Sequence, residues 1–310
     1  MKDKLVTLIG GGGFLGRYVA QELLAAGARV RIAQPRPRDA WFVKTLGGLG
    51  QVQFAAADVR KPETLARALR GSDAVVNLVG VLAGDFQSIQ ADGAGNVAKA
   101  AAAAGATSLV HVSAIGADPE SLSDYGRTKG EGELAVRKAF PDAVIVRPSI
   151  LFGREDAFVN RFAGMIASMP VAVPVLRGEA KFQPAYVADV AQAIAQSLAD
   201  PQAHAGHIYS LGGPDVISMA ELFKWIGATI GRDVPFVDIP DAIGGLIPFL
   251  PFAPITRDQW QMLATDNVVP PTGVGFDAFD IVPTPMASVA PSWMVRFRKA
   301  GRFGNAIAAA

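Results

Sequence analysis

The feature that most restricts the fold is a run of four glycines between an apolar stretch and a helical pattern, in LVTLIGGGGFLGRYVAQELLAAG. Gly10, Gly13 and Gly16 have the spacing G-x-x-G-x-x-G, and Phe14 and Leu15 open the helix. A β-carbon at such a turn would keep a diphosphate away from the backbone N–H groups at the helix N-terminus, where the helix dipole favours an anion. Gly16 lets the helix pack close to the strand. These residues predict a dinucleotide-binding turn, and the alternative is a glycine-rich turn without a ligand.

Strand-like and helix-like segments alternate through the first 150 residues. The apolar runs predicted as strands are LVTLIG, RVRIA, VQFAAAD, AVVNLVG, SLVHVSAIG and AVIVRPSILFG. A helix with charges on its outer face is predicted over YGRTKGEGELAVRKAF. The alternation predicts an α/β fold with a Rossmann-type, doubly wound parallel sheet.

Prolines become frequent after Gly153 and interrupt this alternation. We therefore expect a dinucleotide-binding Rossmann domain over residues 1–153, to which some later segments return. A smaller and partly irregular C-terminal lobe is expected over residues 154–310, where it would hold a substrate or a partner.

Two predicted strands end in residues that can line a nucleotide. Asp58 ends the third strand, where its carboxylate can accept a hydrogen bond from the adenine amino group and the Val59 backbone can line the base. Leu78, Val79 and Gly80 follow the fourth strand, at the edge of the sheet where cofactors lie in open α/β folds. We include all five residues in the predicted cofactor site.

The end of the second strand bears on which dinucleotide is bound. An acidic residue there would hydrogen-bond the adenosine ribose and repel a 2′-phosphate. The sequence is instead RIAQPRPRD, with Arg36 and Arg38 before the first acid at Asp39. Guanidinium groups suit phosphate, so the pattern favours NADP(H), with NAD(H) as the alternative. Both arginines can also be simply solvated.

Tyr125 and Lys129, in DYGRTKGEGE, have Y-x-x-x-K spacing and share one face of the predicted helix. An ammonium beside a phenol lowers the pKa of the phenol and prepares it for proton transfer. The lysine can also hold ribose hydroxyls, which is a binding role alone. Tyr125 and Lys129 are therefore candidate catalytic residues as well as cofactor ligands.

Composition excludes several other classes of protein. Basic and acidic residues number 29 and 28, so no overall field attracts nucleic acid. The chain has no cysteine and three histidines, which argues against a metal site. No signal peptide is visible, and proline-broken apolar stretches fall short of the roughly 20 residues of a spanning helix. We expect a cytoplasmic protein, with peripheral attachment to the inner membrane as the alternative.

The glycine motif, Asp58, NLVG, the Tyr125–Lys129 pair and RPSILFG occur in the order typical of the atypical or extended short-chain dehydrogenase/reductase superfamily, which the chain resembles. A narrower resemblance rests on LVHVSAIGAD, AFPDAVIVRPSILFGREDAFVNRFA, FQPAYVADVAQAI and ITRDQWQMLATDNVV. These stretches are similar to the family of the 39-kDa (alpha subcomplex 9) accessory subunit of respiratory complex I and its bacterial relatives.

The resemblance implies further properties of the site. In the superfamily the segment equivalent to Pro148, Ser149 and Ile150 passes close to the nicotinamide. Members of the narrower family hold NADPH tightly in a structural role. A partner such as complex I, or another membrane-associated assembly, is implied in the same way.

Active enzymes of the superfamily place a serine or threonine after the fifth strand, where it polarises the substrate. Here Ser113 falls about two residues early, with Ala114 and Ile115 where the hydroxyl is expected. Loss of such a donor costs about 10²–10³-fold in rate. We therefore expect Tyr125 and Lys129 to act first as cofactor ligands, although a bulge of one or two residues would restore Ser113.

Two later segments predict surfaces for a partner or a membrane. The proline-broken run DAIGGLIPFLPFAPITRDQW contains Leu246, Ile247, Phe249, Leu250 and Phe252, which form either an exposed docking loop or part of a core. The C-terminal PSWMVRFRKAGRFGNAIAAA mixes aromatic and basic residues, which suits an anionic membrane interface or an ordinary solvated helix. Those residues are Trp293, Phe297 and Phe303 with Arg296, Arg298, Lys299 and Arg302.

Two functions remain open from the sequence. The first is an NADP(H)-binding protein whose nucleotide is structural or sensing, at a membrane-associated NADH:quinone oxidoreductase. The second is a free-standing oxidoreductase, epimerase or dehydratase that uses Tyr125 and Lys129.

Overall fold

The computed structural model describes residues 1–249, 255–299 and 301. The chain forms two compact units. Unit 1 consists of Met1–Pro148, Val187–Leu211 and Pro270–Val282. Unit 2 consists of Ser149–Tyr186, Gly212–Val269 and Pro283–Ala310.

Strands of the described residues are, in chain order, β1 Leu5–Ile9, β2 Arg29–Gln34, β3 Val52–Ala56, β4 Ala74–Asn77, β5 Ser108–Val112, β6 Val144–Pro148, β7 Leu151–Phe152, β8 Val173–Leu176, β9 Lys181–Phe182, β10 Ala185–Tyr186, β11 Ile208–Leu211, β12 Ile217–Ser218 and β13 Phe236–Ile239. The α-helices are α1 Phe14–Ala25, α2 Pro62–Ala68, α3 Asp92–Ala103, α4 Asp124–Ala139, α5 Val159–Ser168, α6 Val187–Ala199, α7 Pro201–His204, α8 Met219–Thr229, α9 Asp241–Gly244, α10 Arg257–Met262, α11 Met286–Val289 and α12 Pro291–Met294.

Unit 1 is built on a parallel sheet of seven strands in the order β11-β6-β5-β4-β1-β2-β3. All residues of β1 and β5 are buried, as expected for parallel strands covered on both faces. From β1 the chain proceeds to β2 on one side, and β4 then pairs on the other side of β1. The direction of winding reverses there, so the carboxyl ends of β1 and β4 border the crevice in which open sheets bind ligands. The predicted α/β fold class is confirmed.

Helices cover both faces of this sheet. Apolar side chains of α2, α3 and α4 form one core with the sheet, including Leu65, Val97 and Val136. On the other face α1 packs against α6, because Val19 and Leu23 of α1 and Val190 and Ile194 of α6 are fully buried. Residues 187–199 thus belong to the sheet-bearing unit.

Three details differ from the sequence prediction. The predicted sixth strand is interrupted: β6 ends at Pro148, and β7 pairs with β10 in unit 2. Strand β11 was not predicted, because a four-residue run gives too weak a pattern. The charged residues of α4 are not all on its outer face, since Lys129 and Glu133 are buried. The buried Glu133 carboxylate has a charged partner beneath α4, because it accepts two hydrogen bonds from Arg147 of β6, at 2.8 and 2.6 Å.

Unit 2 contains short paired strands around a core formed mainly by α5 and α8. The pairs are β7 with β10, β9 with β12 and β8 with β13. Phe152, Ile166, Leu222 and Ile226 are among its fully buried side chains. Among the described residues, no helix has both the length and the apolar character needed to cross a membrane.

The two segments predicted as surfaces are both in unit 2. Leu246 and Phe249 are exposed, while Leu250 and Phe252 lie outside the described residues. In the C-terminal segment, Trp293 and Phe297 pack against the core of unit 2, and Arg298 donates to the carbonyl of Thr229. Lys299 and Arg296 are exposed, and Arg302 and Phe303 lie outside the described residues.

Candidate functional site

The glycine-rich turn connects β1 to α1, and the protein itself requires glycine at several of its positions. Gly10 has a φ of +77°, which side-chain-bearing residues rarely adopt. A Cβ on Gly11 would lie 2.7 Å from the Leu8 side chain. A Cβ on Gly16 would overlap the backbone of Gly11, so Gly16 permits close packing of α1 on β1 as predicted. These constraints fix the path of the turn without reference to any ligand.

Gly13 is different, because the protein leaves room beside it. It is exposed, its φ is −77°, and a Cβ there would meet only the Gly10 carbonyl oxygen, at 3.4 Å. As the N-cap of α1, Gly13 has no side chain to form a capping bond, and the first turn of the helix contains no acidic residue. Phe14 and Leu15 form that first turn, with Leu15 buried. The smallness of Gly13 therefore opens a surface cradle at a helix N-terminus, which suits a diphosphate.

Gln34, at the end of β2, occupies the position where an acid would indicate NAD(H). Its side-chain oxygen accepts from the Gly12 N–H at 3.0 Å, and its amide donates to the Arg36 carbonyl at 2.8 Å. The neutral side chain thereby connects the glycine turn to the arginine segment. Sequence reasoning did not single out Gln34, although its place directly after a strand was the available signal.

Arg36 lies on the surface, with 85% of its side chain exposed and an ion pair to Asp39 at 3.2 Å. Exposed ion pairs contribute at most about 1 kcal/mol, so Asp39 does not hold Arg36 strongly. Arg38 lies over the Trp41 ring, with 5.7 Å between its guanidinium carbon and the ring centroid. Either guanidinium can therefore rearrange to meet a phosphate.

Asp58 and Val59 follow β3 in the places predicted. The Asp58 carboxylate accepts hydrogen bonds from Nε and an Nη atom of Arg60, at 3.0 and 2.7 Å. That side-chain contact lowers the pKa of Asp58, so the carboxylate is ionised and available as an acceptor. Val59 is buried against α3, where a Cβ on Gly93 would lie 2.7 Å from it.

Residues 78–80 pass from β4 toward α4. Leu78 donates its backbone N–H to Ile9 at 2.9 Å, and the Val79 N–H donates to the Asn77 side chain at 3.2 Å. A Cβ on Gly80 would lie 3.2 Å from the Lys129 ammonium nitrogen, so Gly80 allows that lysine to approach the strand end. The segment is therefore held close to both β1 and Lys129.

Lys129 is the most constrained of the predicted catalytic residues. Its Nζ donates to the Val112 carbonyl at 3.1 Å and to the Val79 carbonyl at 3.4 Å. Burial lowers the pKa of Lys129 to about 8. The nearby Glu133 carboxylate acts in the opposite direction and raises this pKa, but its effect is smaller. The same side chain lies 6.0 Å from the ring centroid of the half-buried Tyr125. Tyr125 also packs edge-on against Phe86, at 6.3 Å between ring centroids.

Ser113 is the first residue after β5, next to the Val112 carbonyl that accepts from Lys129. Its N–H donates to Val146 at 2.7 Å. Its Oγ is buried and, within the part of the chain that is described, has no hydrogen-bond partner. A buried hydroxyl without a partner costs free energy, and such atoms often mark a ligand contact. Whether Ser113 reaches a substrate stays a prediction.

The three histidines, among them His111, entered the sequence analysis only as an argument against a metal site, and the link of His111 to this site was missed. The buried Asn77 amide donates to His111 Nδ1 at 3.0 Å, which leaves the proton of the neutral ring on Nε2. Burial, helped by the Lys129 charge, lowers the pKa of His111 to about 3. A neutral His111 thus lies within the field of Lys129. The available signal in the sequence was a polar residue near the end of each of two apolar strands, Asn77 in β4 and His111 in β5.

The three residues predicted beside the nicotinamide fall in two units. Pro148 ends β6 in unit 1 and accepts from the Ile115 N–H at 3.0 Å. Ser149 Oγ donates to the Asn267 side-chain oxygen at 2.7 Å, and the same oxygen accepts from the Ile150 N–H at 3.1 Å, both within unit 2. Asn267 was another residue that the sequence analysis missed.

No group of three or more His, Asp or Glu side chains among the described residues is placed to hold a metal ion. The site contains a glycine turn, an uncapped helix, a buried lysine and a phenol. That set fits a nicotinamide dinucleotide.

Comparison with known proteins identifies the family. Residues 6–212, more than half of the chain, match the NAD dependent epimerase/dehydratase family. The chain belongs to that family. Over 292 residues it is 33% identical to mouse NADH dehydrogenase [ubiquinone] 1 alpha subcomplex subunit 9, mitochondrial, with 91% of this chain and 77% of the mouse protein covered. The predicted resemblance to the family of that complex I subunit is thereby confirmed.

This chain is also similar to proteins that are named as enzymes. The chain is 33% identical to the ceramide reductase of Caulobacter vibrioides over 191 residues, which cover 60% of this chain and 58% of the reductase. Among solved structures, the NADPH-dependent quinone oxidoreductase of Escherichia coli complexed with NADPH has a TM-score of 0.75 at 19% identity, over 93% of this chain and 98% of that one. The structural likeness supports the fold.

Proposed function

We propose that this chain binds NADP(H) as a tightly held structural or sensing ligand and works as an accessory protein of a membrane-associated NADH:quinone oxidoreductase. The partner proposal follows the relatives named as subunits of NADH dehydrogenase. The proposed location is the cytoplasmic side of the inner membrane, as a peripheral protein.

The observation that carries the nucleotide proposal is the open cradle at Gly13. The fold accounts for glycine at 10, 11 and 16 but leaves Gly13 exposed before an uncapped helix. The first N–H groups of α1 would hold the diphosphate there. Asp58 would accept from the adenine, and Val59 and residues 78–80 would line the base and the crevice.

The preference for NADP(H) rests on charge at the end of β2. Gln34 replaces the acid that would repel a 2′-phosphate, and Arg36 is exposed and weakly paired. Lys129 would donate to the ribose hydroxyls, with Tyr125 beside it. A bound nicotinamide ring can accept or supply a hydride. The expected position of Ala114 and Ile115 where active enzymes of the superfamily carry a hydroxyl favours retention of the nucleotide over turnover.

Mass spectrometry of the nucleotide released from the purified protein tests this proposal. We expect NADPH or NADP⁺ in near-stoichiometric amount, and no oxidation of bound NADPH when small carbonyl compounds or quinones are added. Co-purification of the chain with membranes would support the partner. Protein that is free of nucleotide, and that takes up neither NADP(H) nor NAD(H), would contradict it.

A second function is favoured by one observation, the buried hydroxyl of Ser113, which has no hydrogen-bond partner among the described residues. If a substrate carbonyl accepts from it, the chain is a free-standing oxidoreductase, epimerase or dehydratase, with Tyr125 as proton donor and Lys129 lowering the phenol pKa. The relative named ceramide reductase agrees with this alternative. Steady consumption of NADPH that collapses in Tyr125→Phe, but not in the matched aromatic variant Tyr18→Phe, would establish it.

A further inference from the structure

The segment between β2 and β3 presents large apolar side chains to solvent. Residues 37–46 form a 3₁₀-helical element whose Ala40 and Val43 are fully buried, so the element is anchored on unit 1. In this element Trp41 is 56% exposed and Leu46 is 37% exposed, and Leu49 is fully exposed in the glycine-rich turn that follows. Trp41 and Leu46 are partly covered by the protein, whereas Leu49 is not covered.

The same segment is rich in basic residues. Residues 36–50 contain three basic residues and one acid, which gives a net charge of 3 − 1 = +2. The acid, Asp39, is paired with Arg36. Within the described part of the chain, neither Arg38 nor Lys44 forms an ion pair, and Arg38 lies over the Trp41 ring. We define the Trp41 patch as Arg38, Trp41, Lys44, Leu46 and Leu49.

This combination suits the headgroup region of an anionic bilayer. Tryptophan is enriched at the membrane–water interface, where its ring is apolar and its N–H remains hydrated. Lysine and arginine gain about 1 kcal/mol each near an anionic lipid surface. Leu46 and Leu49 can insert beside the ring, while Arg38 and Lys44 meet lipid phosphates.

The arrangement fits lipid better than a protein partner. A stable protein interface buries about 800 Å² on each side with a contiguous apolar centre. The three apolar side chains are instead separated by exposed polar or glycine positions, among them Lys44, Thr45 and Gly48. Each of these apolar side chains can insert between lipids by itself, and the basic residues of the patch can contact the phosphates of individual lipid headgroups.

We propose that the Trp41 patch docks unit 1 directly onto anionic lipid. The inference goes beyond the proposed function, because it assigns a lipid contact to a surface of which only Arg38 could also meet the nucleotide phosphate. It also holds whether or not a nucleotide is bound. Arg36 is left out of the patch, since the nucleotide proposal uses it.

Co-sedimentation of the full chain with vesicles tests the proposal. Vesicles of phosphatidylcholine alone are compared with vesicles that also contain phosphatidylglycerol. We expect binding only to the anionic vesicles, weakened by salt. Arg38→Gln with Lys44→Gln should weaken it roughly 10- to 30-fold, and Trp41→Ala with Leu49→Ser should weaken it at least tenfold. Brominated lipid should quench tryptophan fluorescence in the wild type and much less in Trp41→Phe.

The controls use equally exposed apolar residues elsewhere in unit 1. Leu134 and Val282 are 59% and 89% exposed, and Leu134→Ser with Val282→Ser should bind vesicles as the wild type does. Equal binding to neutral vesicles, or wild-type binding by both patch variants, would overturn the proposal. Absence of binding to the anionic vesicles would overturn it as well. Nucleotide content of the variants is measured in parallel, so that failure of nucleotide binding is seen separately.

Discussion

At the residue scale, His111 shows how burial of an ionisable group links the stability of this protein to pH. Its pKa of about 3 in the folded chain lies below the ordinary 6.5, so the unfolded chain takes up the proton first as the pH falls. Stability is therefore lost between pH 6.5 and 3, by up to about 1.4 kcal/mol per pH unit from this residue. In His111→Gln, where the amide oxygen can still accept from Asn77, we expect the free energy of unfolding to fall less steeply.

Denaturant unfolding between pH 7 and pH 4 measures that slope. His207→Gln, at an exposed histidine, is the matched control and should keep the slope of the wild type. An unchanged slope in His111→Gln would show that another group governs acid stability.

At the same scale, the proposed preference for NADP(H) assigns the 2′-phosphate to Arg36. A hydrogen bond to a charged group is worth about 1.5–3 kcal/mol, so Arg36→Ala should weaken NADPH binding roughly 10- to 100-fold and leave NADH binding nearly unchanged. Fluorescence titration with each nucleotide gives both constants. Arg137→Ala, at the exposed end of α4, should change neither. Equal losses for NADPH and NADH would refute a role in holding the 2′-phosphate.

At the scale of elements, the close packing of α1 on β1 depends on Gly16. A Cβ there would overlap the Gly11 backbone, which cannot move without displacing the turn. Gly16→Ala should therefore destabilise the protein by about 1–3 kcal/mol. Gly164 in α5 has room, because its Cβ would meet only Phe297 at 3.8 Å. Gly164→Ala should stabilise by up to about 1 kcal/mol. Thermal and denaturant unfolding of the two variants should thus shift in opposite directions, and a tolerated Gly16→Ala would contradict the packing argument.

Elements were predictable where a local pattern specified them. The strand–turn–helix from Leu5 to Ala25 is marked by apolar runs and glycines, and β4 and β5 are marked by continuous apolar character. Strand β11 and the break at Pro148 could not be read locally, because they depend on which distant strand pairs with which. Likewise Gln34, Asn77 and Asn267 acquire their partners only through the fold.

At the scale of the whole molecule, the chain passes back and forth between its two units, since residues 187–211 and 270–282 return to unit 1. The frequent prolines after Gly153 carry no information about such returns. The return of β11 to the sheet is a long-range pairing, and the burial of α6 against α1 accompanies it. A shortened chain that ends near residue 153 would lack both, so functional tests need the full chain.

Calorimetric titration of the nucleotide-free full chain with NADPH tests the central claim most directly, with Gly13→Ala beside the wild type. The methyl group at 13 fits the protein but fills the open cradle, so the variant should fold, with a loss of at most about 1 kcal/mol for the poorer N-cap, and lose NADPH binding at least tenfold. The wild type should bind one NADPH per chain, more tightly than NADH. A wild type that binds neither nucleotide, or a Gly13→Ala variant that binds NADPH as the wild type does, would contradict the account.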